Sequence, residues 1–499
     1  MPNWEDLELP VQLPAAEPDQ TKAPLWEELR RYAENPLLPF HTPGHKKGMA
    51  LENGWDAPGL LPGIDLTEIA ALRWAESWEE AEALAARFFK ADRSFFLVQG
   101  ASQGVMASLL GAFSPGDAVL VARDCHASVI HGMILAGLNP IFIENAALPG
   151  WRITAGLDPD SLQIRIREYP DVKGLVVTNP TYQGIARSLA PYRDIIGTER
   201  LLIVDEAHGG HFGWMGYQGY DACSQADLWI HGTHKTLGSL TQTGMLHLVA
   251  ARVEPERIRR SLQLLTTTSP SYILLASLDS NRRFLAAAGH TMFSERLAQV
   301  RELRNRLVSL QGLRVAGEPP QRLPGTAWIA DPWRICLSFR NFGRTGLEAE
   351  TAYRDLFKMQ PEYADLEQVT FLISPWQEDA PLELLYQATA SLWRRYSGDR
   401  PGGLKKRANL DLRKPLSLPR AALAPREAAL GPVLEVPLPE AAGRIAATVV
   451  APYPPGVPLL IPGEIIRDED LRFIAALLNH GGAVRGIDSG KITVCRVEK

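Results

Sequence analysis

Cysteine is scarce in this chain and follows no pattern. Cys125, Cys223, Cys336 and Cys495 are scattered over 499 residues, with no CxxC pair and no metal-ligand spacing. That argues against a disulfide scaffold or a metal centre and for a reducing compartment. Long apolar runs are also missing: none approaches a membrane span. The N-terminus, MPNWEDLELPVQLP, is acidic and has no apolar stretch of the signal-peptide kind, so a cytoplasmic protein is expected. Neither sign of charge dominates. A formal net charge of -5 gives no reason to expect nucleic acid or a membrane as partner, and it suits a cationic substrate. No internal repeat of solenoid period is present. The length exceeds one ordinary core, so two or three domains are expected.

What is present centres on 201–247. LLIVDEAHGGHFGW begins with an apolar run, 201–204, that ends in Asp205. A buried parallel strand looks like this when it delivers a carboxylate to its C-terminal edge, where open α/β sheets bind ligands. DLWIHGTHKTLGSLTQTGMLH repeats the form: the apolar run 228–230, then Gly232-Thr233-His234-Lys235-Thr236. Alone, each residue reads as a helix-capping aspartate or a surface lysine. Together at two strand ends they form the pair that pyridoxal 5'-phosphate (PLP) chemistry needs. The amine forms a Schiff base, and the carboxylate keeps the pyridine nitrogen protonated.

Upstream, the helix expected at 24–35 leads into PFHTPGHKKG (39–48). Its prolines and glycines rule out helix or central strand. It reads as a solvated basic turn or as a loop near a phosphate or substrate carboxylate, and His45 in it is a candidate substrate contact. EEAEALAARFF (79–89) has helical periodicity. In SFFLVQGASQGVMASLLGAF a strand, 94–98, breaks at Gly100 and a helix opens near Ser102. Free N–H groups and the helix dipole at Gly100-Ala101-Ser102-Gln103 would converge on a phosphate. There is no Walker lysine after that turn, which excludes a nucleotide P-loop. A further strand, 118–121, is followed by Arg123-Asp124-Cys125-His126. His126 there is either a satisfied core histidine or a ring that stacks on a planar cofactor; His131 reads as structural. The strand 174–178 and the loop NPTYQG precede the run at 201. Strands alternating with helices imply right-handed βαβ units and a parallel sheet. Beyond Met245, the segment SLQLLTTTSPSYILLASLD (261–279) holds a Thr/Ser cluster between helical stretches. SERLAQVRELRNRLVSL (294–310) is amphipathic, and RICLSF and VTFLIS suit a smaller α+β domain. GDRPGGLKKRANLDLRKPLSLPRAALAPRE (398–427) reads as a linker.

HTPGHKKG, QGASQG, RDCHASVIHG, NPTYQG, VDEAHGGH, GTHKTLGSLTQTGMLH, TTTSPSYILLASLD and PYPPGVPLLIPGE stand in this order from about residue 36 to the C-terminus. As a set they resemble the bacterial ornithine/lysine/arginine decarboxylase family. The resemblance implies an α/β chain of PLP fold type I, with a mostly parallel seven-stranded sheet flanked by helices. Its expected parts are an arm and helix (1–35), a PLP-binding large domain (36–290), a small α+β domain (291–397), the linker (398–427) and a C-terminal domain (428–499). The implied activity is decarboxylation of a basic amino acid for polyamine synthesis. Arginine (to agmatine) is the first choice, with lysine (to cadaverine) close behind and ornithine (to putrescine) third.

Carried over position by position, Lys235 resembles the lysine that holds PLP, Asp205 the partner of the ring nitrogen, and His126 the histidine stacked on the ring. His208 is a candidate for protonating Cα. Gly100, Ala101, Ser102, Gln103, Ala207, Thr233 and His234 are the further cofactor contacts implied. The Thr266–Ser269 cluster, with Thr267, Thr268 and Ser269, resembles a segment lent to a partner subunit's phosphate, so a homodimer with shared sites is expected. Glu464 is the candidate for the substrate's distal cation, and no metal is expected. The chain departs from the family in its compact, tryptophan-rich 64–82 segment and in lacking the receiver-like N-terminal domain of the inducible members. Rival readings are another fold-type-I enzyme, such as an aminotransferase or lyase, and a non-catalytic PLP-binding homologue. The C-terminal arginine with which an aminotransferase holds the α-carboxylate is not assignable from sequence.

Overall fold

Apolar runs too continuous for a half-exposed sheet build the centre of the molecule. The computed structural model describes residues 19–34, 64–66, 72–151, 153–317, 327–377, 379–398, 418–453 and 456–496. Strands β1 (Arg93–Leu97), β2 (Ala118–Ala122), β3 (Asn139–Ile143), β4 (Gly174–Thr178), β5 (Leu201–Asp205), β6 (Leu228–His231) and β7 (Gly244–Leu248) form one seven-stranded sheet. Their order is β1-β7-β6-β5-β4-β2-β3. The five from β3 to β6 pair in parallel, and β7 runs antiparallel between β6 and β1. This is the mostly parallel, helix-flanked sheet expected, with strand ends displaced by about a residue from the sequence reading.

Both faces are covered. Helices Gly100–Ala112, Ala127–Ala136 and Pro255–Leu265 close one face over Val121, Val176, Ile203 and Ile230. On the other, Leu162, Tyr192 and Ile196 pack on Val177, Leu202, Val204 and Trp229. Burying each such side chain contributes about 1.5–3 kcal/mol, which is why the strands need no polar alternation. The register pairs Thr178 with Asp205 and Asp205 with Ile230. The C-terminal ends of β4, β5 and β6 are therefore level, and the loops after them open on one edge.

A four-stranded antiparallel sheet, Arg314–Val315, Arg334–Ser338, Val369–Leu372 and Tyr363–Ala364, lies in the part read as a small α+β domain, with helices Gly346–Phe357 and Asp379–Gly398. Its core is not separate. One apolar cluster joins Leu25, Leu29, Leu275, Leu303, Ile335 and Val369. The helix Tyr272–Phe284 also continues through a widened turn, Leu285–Gly289, into His290–Val308. The N-terminal helix Pro24–Glu34 is tied down by a fully buried pair. Asp279 accepts from the Leu25 N–H at 2.9 Å, while Arg282 donates to Asp279 and to the Gln20 and Lys22 carbonyls.

The C-terminal part has its own apolar cluster, including Val436, Val450, Leu460, Ile474 and Val494. From Leu418 on, the stretch read as a linker is docked on the rest of the chain. Leu418 N–H donates to Glu144, Ala421 bridges to Glu464, and Arg426 donates to the Ile134 and Leu135 carbonyls. Those carbonyls lie at the C-terminal end of a helix, where an arginine satisfies orphan acceptors and the dipole together. Composition alone does not show such contacts.

Glu82 is buried under β1, accepting from Phe96 N–H at 2.9 Å and Trp78 Nε1 at 2.8 Å, and burial pushes its carboxyl up to about 7 from the ordinary 4.5. The native state thus keeps a proton that the unfolded chain releases as pH rises from 4.5 to 7. Stability from this group falls through that window and stays lost above it. Glu82→Gln keeps the acceptor and cannot ionise. It should stabilise the chain by roughly 3 kcal/mol at pH 8 in urea unfolding, a gain vanishing toward pH 4.5; a pH-independent difference would contradict this assignment.

Candidate active site

The level strand ends bring acid, amine and imidazoles together. Asp205 closes β5 and is buried. Its Oδ1 accepts the Ala207 N–H at 3.2 Å, and among the described residues Oδ2 takes no hydrogen bond. Ala207 is buried, and its carbonyl accepts the Gly232 N–H at 3.2 Å, joining the loops after β5 and β6. Lys235 sits in the one-turn helix Thr233–Thr236 that follows β6. Its Nζ lies 3.0 Å from Nε2 of His208. Burial holds the amine below the usual lysine range, although the charges of Asp205 and Glu362 pull the other way.

The turn carrying Lys235 is pinned from behind. Thr233 Oγ1 donates to Thr243 Oγ1 at 3.2 Å, and His234 Nδ1 meets the Thr243 carbonyl at 2.6 Å. These two side chains fix the lysine turn within the chain. His208 is buried, and burial together with the nearby Lys235 and Arg334 cations drives its pKa far below the ordinary histidine value. Its Nδ1 is bonded to Arg334 Nη2, and the Tyr182 ring packs edge-on at 4.8 Å. Tyr182 in turn donates to Glu362 at 2.8 Å.

His126 caps the helix Ala127–Ala136. Its Nδ1 accepts the Ser128 N–H at 3.2 Å and lies 2.8 Å from Ser128 Oγ, so the ring is held rigidly. Burial depresses its pKa, the Asp205 charge opposes this and Lys235 adds to it. The C-terminal domain reaches this ring: a Cβ on Gly456 would lie 3.7 Å from His126 Cδ2 and Nε2.

On the side expected to take a phosphate, the helix Gly100–Ala112 has no side-chain cap, so its first-turn N–H groups at Ala101, Ser102 and Gln103 stand ready for an anion. Gly100 has φ +75°, which favours glycine, and its N–H donates to the Gln242 carbonyl at 2.8 Å. Gln103 Nε2 donates to Thr266 Oγ1. Thr267, Thr268 and Ser269 lie exposed at the surface beside it.

Of the two expected substrate contacts, the one that is described does not join the group. His45 lies outside the described residues. Glu464 is buried, pairs with Arg123 Nη2 at 2.9 Å and accepts the Ile461 N–H at 2.9 Å. The ion pair clasps the C-terminal domain to the end of β2, so this carboxylate is not a free acid for a substrate cation. Arg334, Tyr182 and Glu362 were not singled out by the sequence. Tyr182 lies in a motif that was noted but given no role, and Arg334 reads only as the first residue of a strand. With Arg334 placed beside His208, the lack of an assignable arginine no longer counts against an aminotransferase.

The residues fit PLP: a desolvated amine, a carboxylate with one open oxygen, a fixed imidazole, and an uncapped helix N-terminus for the phosphate. Comparison with known proteins agrees. Residues 23–319 match the family described as Orn/Lys/Arg decarboxylase, major domain, and 404–487 its C-terminal domain. The chain is 32% identical to an arginine decarboxylase of Bacillus subtilis over 96% of this chain and 98% of that one. It is 24% identical to the lysine decarboxylase LdcA of Pseudomonas aeruginosa over 88% of this chain and 73% of that one. The lysine decarboxylase LdcF of Francisella novicida shares the fold, with TM-score 0.79 at 21% identity, over 95% of this chain and 80% of that one.

Gly244 tests the phosphate side. A Cβ there would lie 2.8 Å from the His231 carbonyl and 3.1 Å from Ala101 N, both backbone. Gly244→Ala should weaken PLP affinity by about tenfold to hundredfold, the size of a 1–3 kcal/mol overpacking cost, read by absorbance titration. Unchanged affinity would place the phosphate elsewhere.

Proposed function

This chain belongs to the ornithine/lysine/arginine decarboxylase family, and from that premise we propose that it decarboxylates L-arginine to agmatine with PLP as cofactor. The reaction class, decarboxylation of a basic amino acid, comes with the family. The observation that carries the site is the Lys235 amine, desolvated and 3.0 Å from His208, at the sheet edge where Asp205 also ends. Arginine is favoured over lysine because arginine decarboxylases are the relatives at about 32% identity over nearly the full chain. Lysine decarboxylases match at 24%.

In this reading Lys235 would hold the cofactor, Asp205 would partner its ring nitrogen, His126 would pack against it, and the Gly100–Gln103 turn would take its phosphate. Bound there, PLP supplies the electron sink for the carbanion left at Cα when CO2 departs. Asp205 contributes preorganised negative charge, present before the reaction and so free of reorganisation cost. Lys235, charged by the proton that the substrate's ammonium gives up on binding, is the group assigned to hand a proton to Cα, and His208, 3.0 Å away, positions that amine. Tyr182 and the small-domain strand that opens with Arg334 wall the site from water. Glu362 has no basic partner among the described residues and is the acid we assign to the substrate's distal guanidinium. The exposed Thr267–Ser269 segment is assigned to the partner's phosphate in a homodimer, with the cytoplasm as the working compartment.

CO2 release from arginine, lysine and ornithine, measured separately on the PLP-loaded chain, tests this. Arginine should turn over fastest, and Lys235→Ala should abolish release. Cofactor absorbance with no CO2 from any of the three would refute the reading. Asp205→Asn should retain PLP and lose a factor on the order of 10²–10³ in kcat; an unchanged kcat would remove Asp205 from its role.

A further inference from the structure

Hydrogen bonds around His208 have only one consistent direction. A guanidinium donates and never accepts, and it stays charged at any pH the protein meets. Arg334 Nη2 meets His208 Nδ1, so Nδ1 has to present its lone pair. The proton of the neutral ring then sits on Nε2, the atom 3.0 Å from Lys235 Nζ. A donor at Nε2 needs an acceptor opposite it. An ammonium has no lone pair to offer; a free amine has one. A doubly protonated ring is shut out for the same reason, because its Nδ1–H would point at a guanidinium N–H.

We propose that Arg334 is a positioning residue that locks His208 as the Nε2–H tautomer and thereby, in the chain before it takes up PLP, admits Lys235 only as the neutral amine. The inference rests on the proposed role of Lys235 toward PLP. Aldehyde capture forms a C=N bond and releases the aldehyde oxygen as water, which carries off two hydrogens, and only the neutral amine has the lone pair to begin it. Arg334 reaches the site from the small domain: it opens the strand Arg334–Ser338, its Nε donates to the Tyr182 carbonyl at 3.3 Å, and it is buried. The small domain thus sets the protonation of a residue on the large one.

The surrounding charges are mixed, so charge alone does not do this. Asp205 and Glu362 favour the ammonium at Lys235, while burial and Arg334 oppose it. At His208, burial and the fixed charge of Arg334 favour the neutral ring, and any charge on Lys235, His126 or His234 would add to that. Hydrogen-bond direction adds what this balance lacks, a discrete penalty on one protonation state.

Two variants at one position separate direction from charge. In the full-length chain stripped of PLP, the rate of PLP uptake is followed by absorbance across pH. His208→Gln can turn its carbonyl to Arg334 and its N–H to Lys235, reproducing the donor pattern. His208→Leu keeps the Arg334 charge and deepens the apolar surroundings, but offers no donor. The midpoint of the profile should match wild type in His208→Gln and rise in His208→Leu, making uptake at pH 7 about tenfold slower, the size of one lost hydrogen bond. A midpoint unchanged in His208→Leu would overturn the proposal. In parallel, ¹⁵N spectra of the wild-type histidine side chains, with His208 identified by its loss in His208→Gln, should show the proton on Nε2; a proton on Nδ1 would overturn it even if the leucine variant does not fold. A chain that takes up no PLP at any pH would refute the cofactor reading instead, and the tautomer measurement would still decide the lock.

Discussion

Burying a lysine amine with no carboxylate in contact is costly, and the sheet edge is arranged around that cost. Among the described residues Lys235 Nζ makes no ion pair, and its hydrogen-bond partner is a neutral imidazole. Asp205 is close enough for its charge to be felt at the amine, yet its hydrogen bond is spent on its own loop. A carboxylate in direct contact would hold the amine as an ammonium and remove the nucleophile. Parallel neighbours solve the problem. β5 and β6 end level on one edge and set acid and amine near each other, the acid closing β5 and the amine on the turn that follows β6.

The platform beneath is polar but closed. Glu206 follows Asp205, and its Oε2 lies 2.8 Å from His231 Nε2, while Oε1 accepts the Ala222 N–H at 2.9 Å. His231 Nδ1 meets His247 Nε2 at 3.1 Å, and His247 Nδ1 meets Ser94 Oγ at 2.7 Å. The string crosses from the end of β5 through β6 and β7 to β1. Burial pushes Glu206 up, His247 down and His231 down to about 3, which favours the neutral forms. A satisfied buried network specifies one arrangement of strands, and here it fixes the two strands that carry Asp205 and Lys235.

Much of this was legible in the sequence because strand interiors announce themselves. Runs such as LLIV and LWI are unbroken by polar residues, and the chemistry-bearing residue follows within a few positions, so Asp205, Lys235 and His126 could be named as candidates before any coordinate. Gly100 was legible as a strand-to-helix break. Contacts between distant segments were not. Arg334 stands 126 positions from His208, and nothing in RICLSF tells an arginine that caps a strand from one that reaches across a domain interface. Glu464 was misjudged for the matching reason: its partner Arg123 lies 341 positions away, and a glutamate in a Pro/Gly loop gives no sign of it. Docking of the segment from Leu418 onward was hidden likewise, since its arginine finds acceptors at the end of a remote helix.

The central claim is that Lys235, at the end of β6, is the amine that takes the cofactor. Borohydride reduction of the PLP-loaded chain fixes the linkage permanently, and proteolysis followed by mass mapping then locates it. The account predicts one pyridoxyl group, on the peptide that carries Lys235. A label on any other lysine, or no reducible linkage at all, would contradict it.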